Sequence, residues 1–269
     1  MAKGMIISIL FFFLSALLLT LGIYVLTTAH QTELRTQEIG TLMRTADLDA
    51  SIQKAIRDTF TSSSGMTFIV NATTFTIIEP FPNTNLINNS LNALKQHVQT
   101  TEPSIVFNLA NITRLRLTPY DYFYTKAFEN ATLLNLTPTS TNYNSYTFTF
   151  TTSNYPVGTI TFLDSDAGSF NILIVSKNST TETRSNRSVN ILTPLEAEIA
   201  GINGGKIEID IVNQSVGIKN TLNLTILSNI SITFFNTTAQ QPHVELSPIY
   251  TIFFQEFNLT KTPYITLTT

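Results

Sequence analysis

Cysteine is absent from the 269-residue chain. That excludes disulfide staples, thiolate metal sites and cysteine nucleophiles. Secreted eukaryotic domains of this size usually carry disulfides, so the absence favours a microbial surface protein. Charge is also scarce. Lys, Arg, Asp and Glu make up 12% of residues and the formal net charge is -3, which leaves no basic stripe for nucleic acid. The three histidines, His30, His97 and His243, stand apart without metal-ligand spacing. There is no phosphate-binding glycine loop and no nucleophile-elbow motif. Ser51-Ile52-Gln53-Lys54 has the serine–lysine spacing of β-lactam-binding enzymes, but no Ser-Asp-Asn or Lys-Thr-Gly segment accompanies it. The sequence therefore points to no catalytic residues, no metal and no cofactor, and to a role other than an enzyme's.

What is present is hydroxyl and amide. The chain has 44 Thr, 21 Ser and 24 Asn. Its polar surface rests on these side chains more than on ions. Disorder does not follow, because 43% of residues are hydrophobic and β-branched and aromatic types dominate them.

The N-terminus carries the longest apolar run. After Met1-Ala2-Lys3-Gly4, the 22 residues from Met5 to Leu26 hold no charge. As a helix rising about 1.5 Å per residue they span about 33 Å, enough for a ~30 Å hydrocarbon core. A cleaved signal ending at Thr27-Thr28-Ala29 is the alternative, although signal cores are shorter, about 7–15 residues. Lys3 and the amino terminus favour a cytoplasmic N-terminal end, which places the rest of the chain outside. From His30 to Phe60 there is no proline and a single glycine, Gly40. Ile39, Leu42, Ala46, Ile52, Ile56 and Phe60 recur mostly at three- or four-residue steps, near one helical face. Thr61 to Gly65 supplies a helix terminus. The anchor helix and amphipathic stalk are thus expected over residues 5–60, preceded by a short leader, 1–4.

A basic leader ending in Lys3-Gly4, an uncharged helix, an amphipathic extension and a β-rich remainder resemble archaeal type IV pilin-like proteins. The resemblance covers about the first 60 residues. It implies cleavage between Gly4 and Met5 by a prepilin peptidase, and a helical N-terminus that self-associates in a filament core.

Past residue 65 the hydrophobic period changes to two. Tyr146–Phe150, Ile207–Ile211, Leu222–Ile226 and Ile230–Phe234 alternate as half-buried strands do. Turn formers separate them at Ser153–Pro156, Asp164–Gly168 and Asn203–Gly205. Ile87, Leu91, Leu94 and Val98 predict one short amphipathic helix over Asn85–Gln99. The expected fold class is α+β: a long hydrophobic helix and stalk, then an all-β, sandwich-like ectodomain. The polar stretch Ser176–Ser188 divides it into β-rich subdomains 66–180 and 186–269, or is a long loop in one continuous domain, 66–269. Asp164–Gly168 reads as a hairpin turn rather than a calcium loop, because it lacks a third ligand position and the distal glutamate. Glu196 with Glu198, and Glu208 with Asp210, read as the solvated face of a sheet.

Half of the asparagines begin an Asn-x-Ser/Thr sequon: Asn71, Asn88, Asn111, Asn130, Asn135, Asn178, Asn186, Asn213, Asn223, Asn229, Asn236 and Asn258. The Ser and Thr content would give about six by chance. All twelve lie beyond the stalk, where an outward-facing domain meets glycosylation enzymes. Occupancy is expected first next to turns, at Asn178, Asn186, Asn229 and Asn236. Two functions remain: a glycosylated, pilin-like filament subunit, or a monomeric membrane-anchored surface protein that binds a partner, a surface layer or a carbohydrate.

Overall fold

The computed structural model describes the chain except residues 1, 83–86, 111, 113, 121, 127–131, 140–142, 153–157, 165, 202–203, 236–241, 247–249, 256–257 and 268–269, with the side chains of 2–11, 126 and 164 also set aside. One helix, α1 (Ala2–Ser64), fills the N-terminal quarter. It begins before the expected leader boundary and runs four residues past Phe60. Gly65 ends it with a φ of +64°, where a side chain would be strained, and Ser64 Oγ accepts a hydrogen bond from Met66 N (3.1 Å). The chain divides into two units, Met1–Ser51 and Ile52–Thr269.

The second unit holds the last turns of α1 and nearly all remaining structure. Its strands, in chain order, are β1 (Thr67–Val70), β2 (Thr74–Phe81), β3 (Ile105–Leu109), β4 (Arg114–Thr118), β5 (Tyr122–Lys126), β6 (Leu133–Pro138), β7 (Tyr143–Thr151), β8 (Ile160–Asp164) and β9 (Ala167–Lys177). They continue with β10 (Glu182–Val189), β11 (Leu195–Ala200), β12 (Lys206–Val212), β13 (Ser215–Asn220), β14 (Ile226–Phe234), β15 (His243–Leu246), β16 (Tyr250–Phe254), β17 (Leu259–Lys261) and β18 (Ile265–Thr266). The amphipathic segment forms α2 (Ile87–Thr101), which buries Ile87, Leu91 and Val98, three of the four positions its period selects, and leaves Leu94 half-buried. The long apolar helix and the β-rich remainder make the chain α+β.

Three sheets result, with strand orders β1-β2-β14-β7-β9-β10, β18-β15-β4-β5-β6-β13-β12-β11-β8 and β17-β16-β3. Described pairings are antiparallel except β7 with β9, which run parallel. Side chains tie the two large sheets together. Tyr122 on β5 and Tyr146 on β7 share a hydrogen bond between hydroxyls (2.5 Å), and Tyr124 donates to Glu79 on β2. Asn220 Nδ2 on β13 donates to the carbonyl of Phe81 (2.8 Å), and the Tyr120 ring stacks on Phe234 at 3.8 Å. The alternating rows Phe75, Ile77 and Phe81 on β2 and Ile230, Ile232 and Phe234 on β14 are all buried.

Three expectations need correction. Ser176–Ser188 is not one long loop, because β9 and β10 pair across that stretch as a hairpin. Strands from both sides of it also alternate within the sheets: β14 lies between β2 and β7, and β11 beside β8. Asp164–Gly168 is not a hairpin turn. β8 pairs with β11 and β9 with β7 and β10, so the connection passes from one large sheet to the other. Leu222–Thr225 is not strand, and β14 begins only at Ile226. The Asn220 amide holds this segment, accepting from Leu222 N (2.9 Å) and donating to the Leu224 carbonyl (3.1 Å), while Asn223 takes a φ of +59°. A side chain satisfying local backbone has here overridden the alternating pattern.

Candidate functional site: the N-terminal helix

The apolar part of α1 has no hydrophilic face. Phe12, Phe13, Leu14, Leu17, Leu18, Leu19, Leu21, Ile23, Tyr24, Val25 and Leu26 are each more than half exposed. Consecutive residues on a helix point about 100° apart, so apolar contact is offered around the whole circumference. By length and composition α1 is able to cross a membrane. Its hydroxyls fit such a setting: Thr20, Thr27, Thr28, Thr32 and Thr36 each donate to a backbone carbonyl three or four residues earlier, at 2.7–2.9 Å. A hydroxyl satisfied within its own helix enters hydrocarbon without an orphaned donor. Ser15, Ala16 and Gly22 supply low relief, and nothing lies within 4 Å of where a Cβ would stand at Gly22. Gly4 and Met5 lie inside α1.

On the expected stalk face, Ile52, Ile56 and Phe60 are buried, whereas Ile39 and Leu42 are 54% and 63% exposed.

The carboxylates form an ion-pair ladder. Glu198 and Glu208 are directly opposite across β11 and β12, a repulsive arrangement on its own. Lys206 Nζ lies 3.1 Å from Glu198 and 2.6 Å from Glu208, and Lys219 Nζ lies 3.3 Å from Glu208. The hydrogen bond from Lys206, and then that from Lys219, hold the Glu208 carboxyl below its usual range. Glu196 and Asp210 face each other two pairs along, beyond Ala197 and Ile209. The histidines sit on separate elements, and His243 Nε2 contacts Glu245 Oε1 at 3.0 Å. Among the described residues no three His, Asp or Glu side chains gather as a metal site.

Of the sequons, Asn111, Asn130 and Asn236 lie outside the described residues. Asn71, Asn135, Asn186, Asn213, Asn223 and Asn258 are exposed, and Asn88, Asn178 and Asn229 are half-buried. Asn178 is in the β9–β10 turn, where its Oδ1 accepts from the backbone amides of Thr180 (2.9 Å) and Thr181 (2.7 Å). Asn186 and Asn229, expected beside turns, instead sit within β10 and β14. Asn213, Asn223 and Asn258 occupy left-handed backbone, with φ of +48°, +59° and +50°.

Sequence reasoning missed the buried polar cluster. Burial pushes the phenols of Tyr122, Tyr124 and Tyr146 well above their ordinary value, and that of Tyr143 to about 12. The signal was legible: Tyr120, Tyr122 and Tyr124 alternate, and Glu79 takes the inward phase of Phe75, Ile77 and Phe81.

No protein-family model, curated protein or solved structure matches the chain.

Proposed function

We propose that this chain is an extracytoplasmic structural surface protein, a pilin-like filament subunit whose N-terminal helices pack together and whose β-rich unit carries N-linked glycans on a sandwich of its two large sheets. It is not an enzyme. The observation that carries the reading is the continuity of α1. One unbroken helix joins an apolar stretch, exposed on every side, to the buried side chains of Ile52, Ile56 and Phe60. A bare apolar rod needs lipid or other rods around it. Withdrawing each large side chain from water gains about 1.5–3 kcal/mol. Within lipid that gain vanishes and association rests on close packing, which Ser15, Ala16 and Gly22 permit. The cytoplasmic end is then the leader, with processing at Gly4–Met5.

The test is to shear filaments from producing cells and sequence the N-terminus of this chain in them. A filament-borne chain starting at Met5 is expected, with glycopeptides at several sequons, Asn178 among them. A membrane-resident chain that stays monomeric in mild detergent and never appears in filaments contradicts the filament reading in favour of an anchored binding protein.

A further inference from the structure

A cavity of about 400 Å³ opens at one end of the six-stranded sheet, where β7 and β9 begin and β10 and β14 finish. This volume lies within the range of small-molecule sites, about 300–1,000 Å³. Within its wall lies a register shift between Ser188 and Val189, which pairs Val189 with Ala167. The backbones approach so closely there that a Cβ on Gly168 would stand 2.4 Å from the Val189 carbonyl oxygen. Tyr143 and Phe170, edge to face with ring centroids 5.5 Å apart, are part of the lining. Phe235 and Leu192, also lining residues, are 64% and 63% exposed.

We propose that this cavity binds a neutral sugar. Among the described residues no Asp, Glu, Lys, Arg or His lines it, so a charged ligand would be desolvated there without a counter-charge. A purely apolar ligand fits no better, because Asn144 and Asn190 are in the wall; their oxygens accept from Ser145 Oγ and Leu192 N, but their Nδ2 donors would be covered unpaired. Asn190 Oδ1 accepts from Leu192 N (3.1 Å), and its Nδ2 has no hydrogen-bond partner among the described residues. A pyranose meets both demands. Its C–H face lies against the electron-rich face of an aromatic ring such as exposed Phe235, and its hydroxyls accept from an amide and donate to one. This site is independent of filament formation.

The experiment uses the full-length chain, made without glycans and held in phospholipid nanodiscs, since sugar-headed detergents would compete. Saturation-transfer NMR is run with methyl mannoside, methyl glucoside and N-acetylglucosamine, and with glucuronate and cyclohexanol as charged and apolar controls. At least one neutral sugar is expected to bind saturably. Phe235→Ala, at an exposed side chain, and Asn190→Asp, which keeps the Oδ1 acceptor, are each expected to weaken binding by about tenfold with unchanged circular dichroism. Absence of saturable binding by all three sugars overturns the proposal. So does binding that neither variant alters, or Phe235-dependent binding of cyclohexanol alone.

Discussion

Phe12 and Phe13 on α1 are 71% and 67% exposed, whereas Phe148 and Phe150 on β7 are 0% and 1% exposed. Both pairs come from Phe-rich stretches of one chain. Pattern separates them. On β7 each Phe alternates with Thr, so one face of the strand is apolar and the sheet buries it. In Phe11-Phe12-Phe13-Leu14 no polar residue intervenes, so no single packing partner could cover the helix. The β unit buries most of its large apolar side chains, with exceptions such as Leu192 and Phe235, whereas those of the helix from Phe12 to Leu26 stay exposed.

The sharpest break of this comparison substitutes one residue type in both places. Phe148→Ala should cost the β unit about 3–5 kcal/mol, read as a lower denaturation midpoint of the full chain followed by β circular dichroism. Phe13→Ala should leave that midpoint unchanged, because the core loses nothing. Equal effects would mean that the helix is part of the folded core. Next in size is Tyr124→Phe, which removes the donor to buried Glu79. A loss of about 1–3 kcal/mol is expected in the same titration.

The buried phenols give the β unit a pH dependence. Their folded pKa values lie above the ordinary 10.0, and burial is the leading cause. Their contribution to stability is therefore whole below that value. It is lost as pH rises toward the folded values, because the unfolded chain ionises first. The denaturation midpoint should fall above about pH 10, and Tyr146→Phe should make that fall shallower. Smallest of all is Ser228→Ala. The Ser228 hydroxyl is fully buried and has no hydrogen-bond partner among the described residues. Its removal should raise the midpoint by an amount worth up to about 1 kcal/mol.

The sequence was legible where the physics is local. The uncharged run from Met5 to Leu26 announces α1, Ile87 and Leu91 announce α2, and the alternation at Ile207–Ile211 announces β12. Partners are not local. Nothing in the period of Ile230–Phe234 says that β14 inserts between β2 and β7, far away in sequence. Leu222–Ile226 alternates as regularly as a strand, yet the side chain of Asn220 ties Leu222–Leu224 into a loop and β14 starts only at Ile226. At the candidate site, the apolar circumference of α1 was legible. The cavity beside Phe235 was not, because its wall includes a register shift between β9 and β10.

The lack of native cysteine permits the most direct test of the central claim, that the apolar stretch of α1 is covered while the β unit faces the outside solution. Single cysteines at Leu18→Cys and, on β14, at half-exposed Leu227→Cys are treated with a membrane-impermeant maleimide on intact cells. The account predicts rapid labelling at position 227 and none at 18 until the envelope is dissolved. Labelling of both positions at equal rates on intact cells would contradict it.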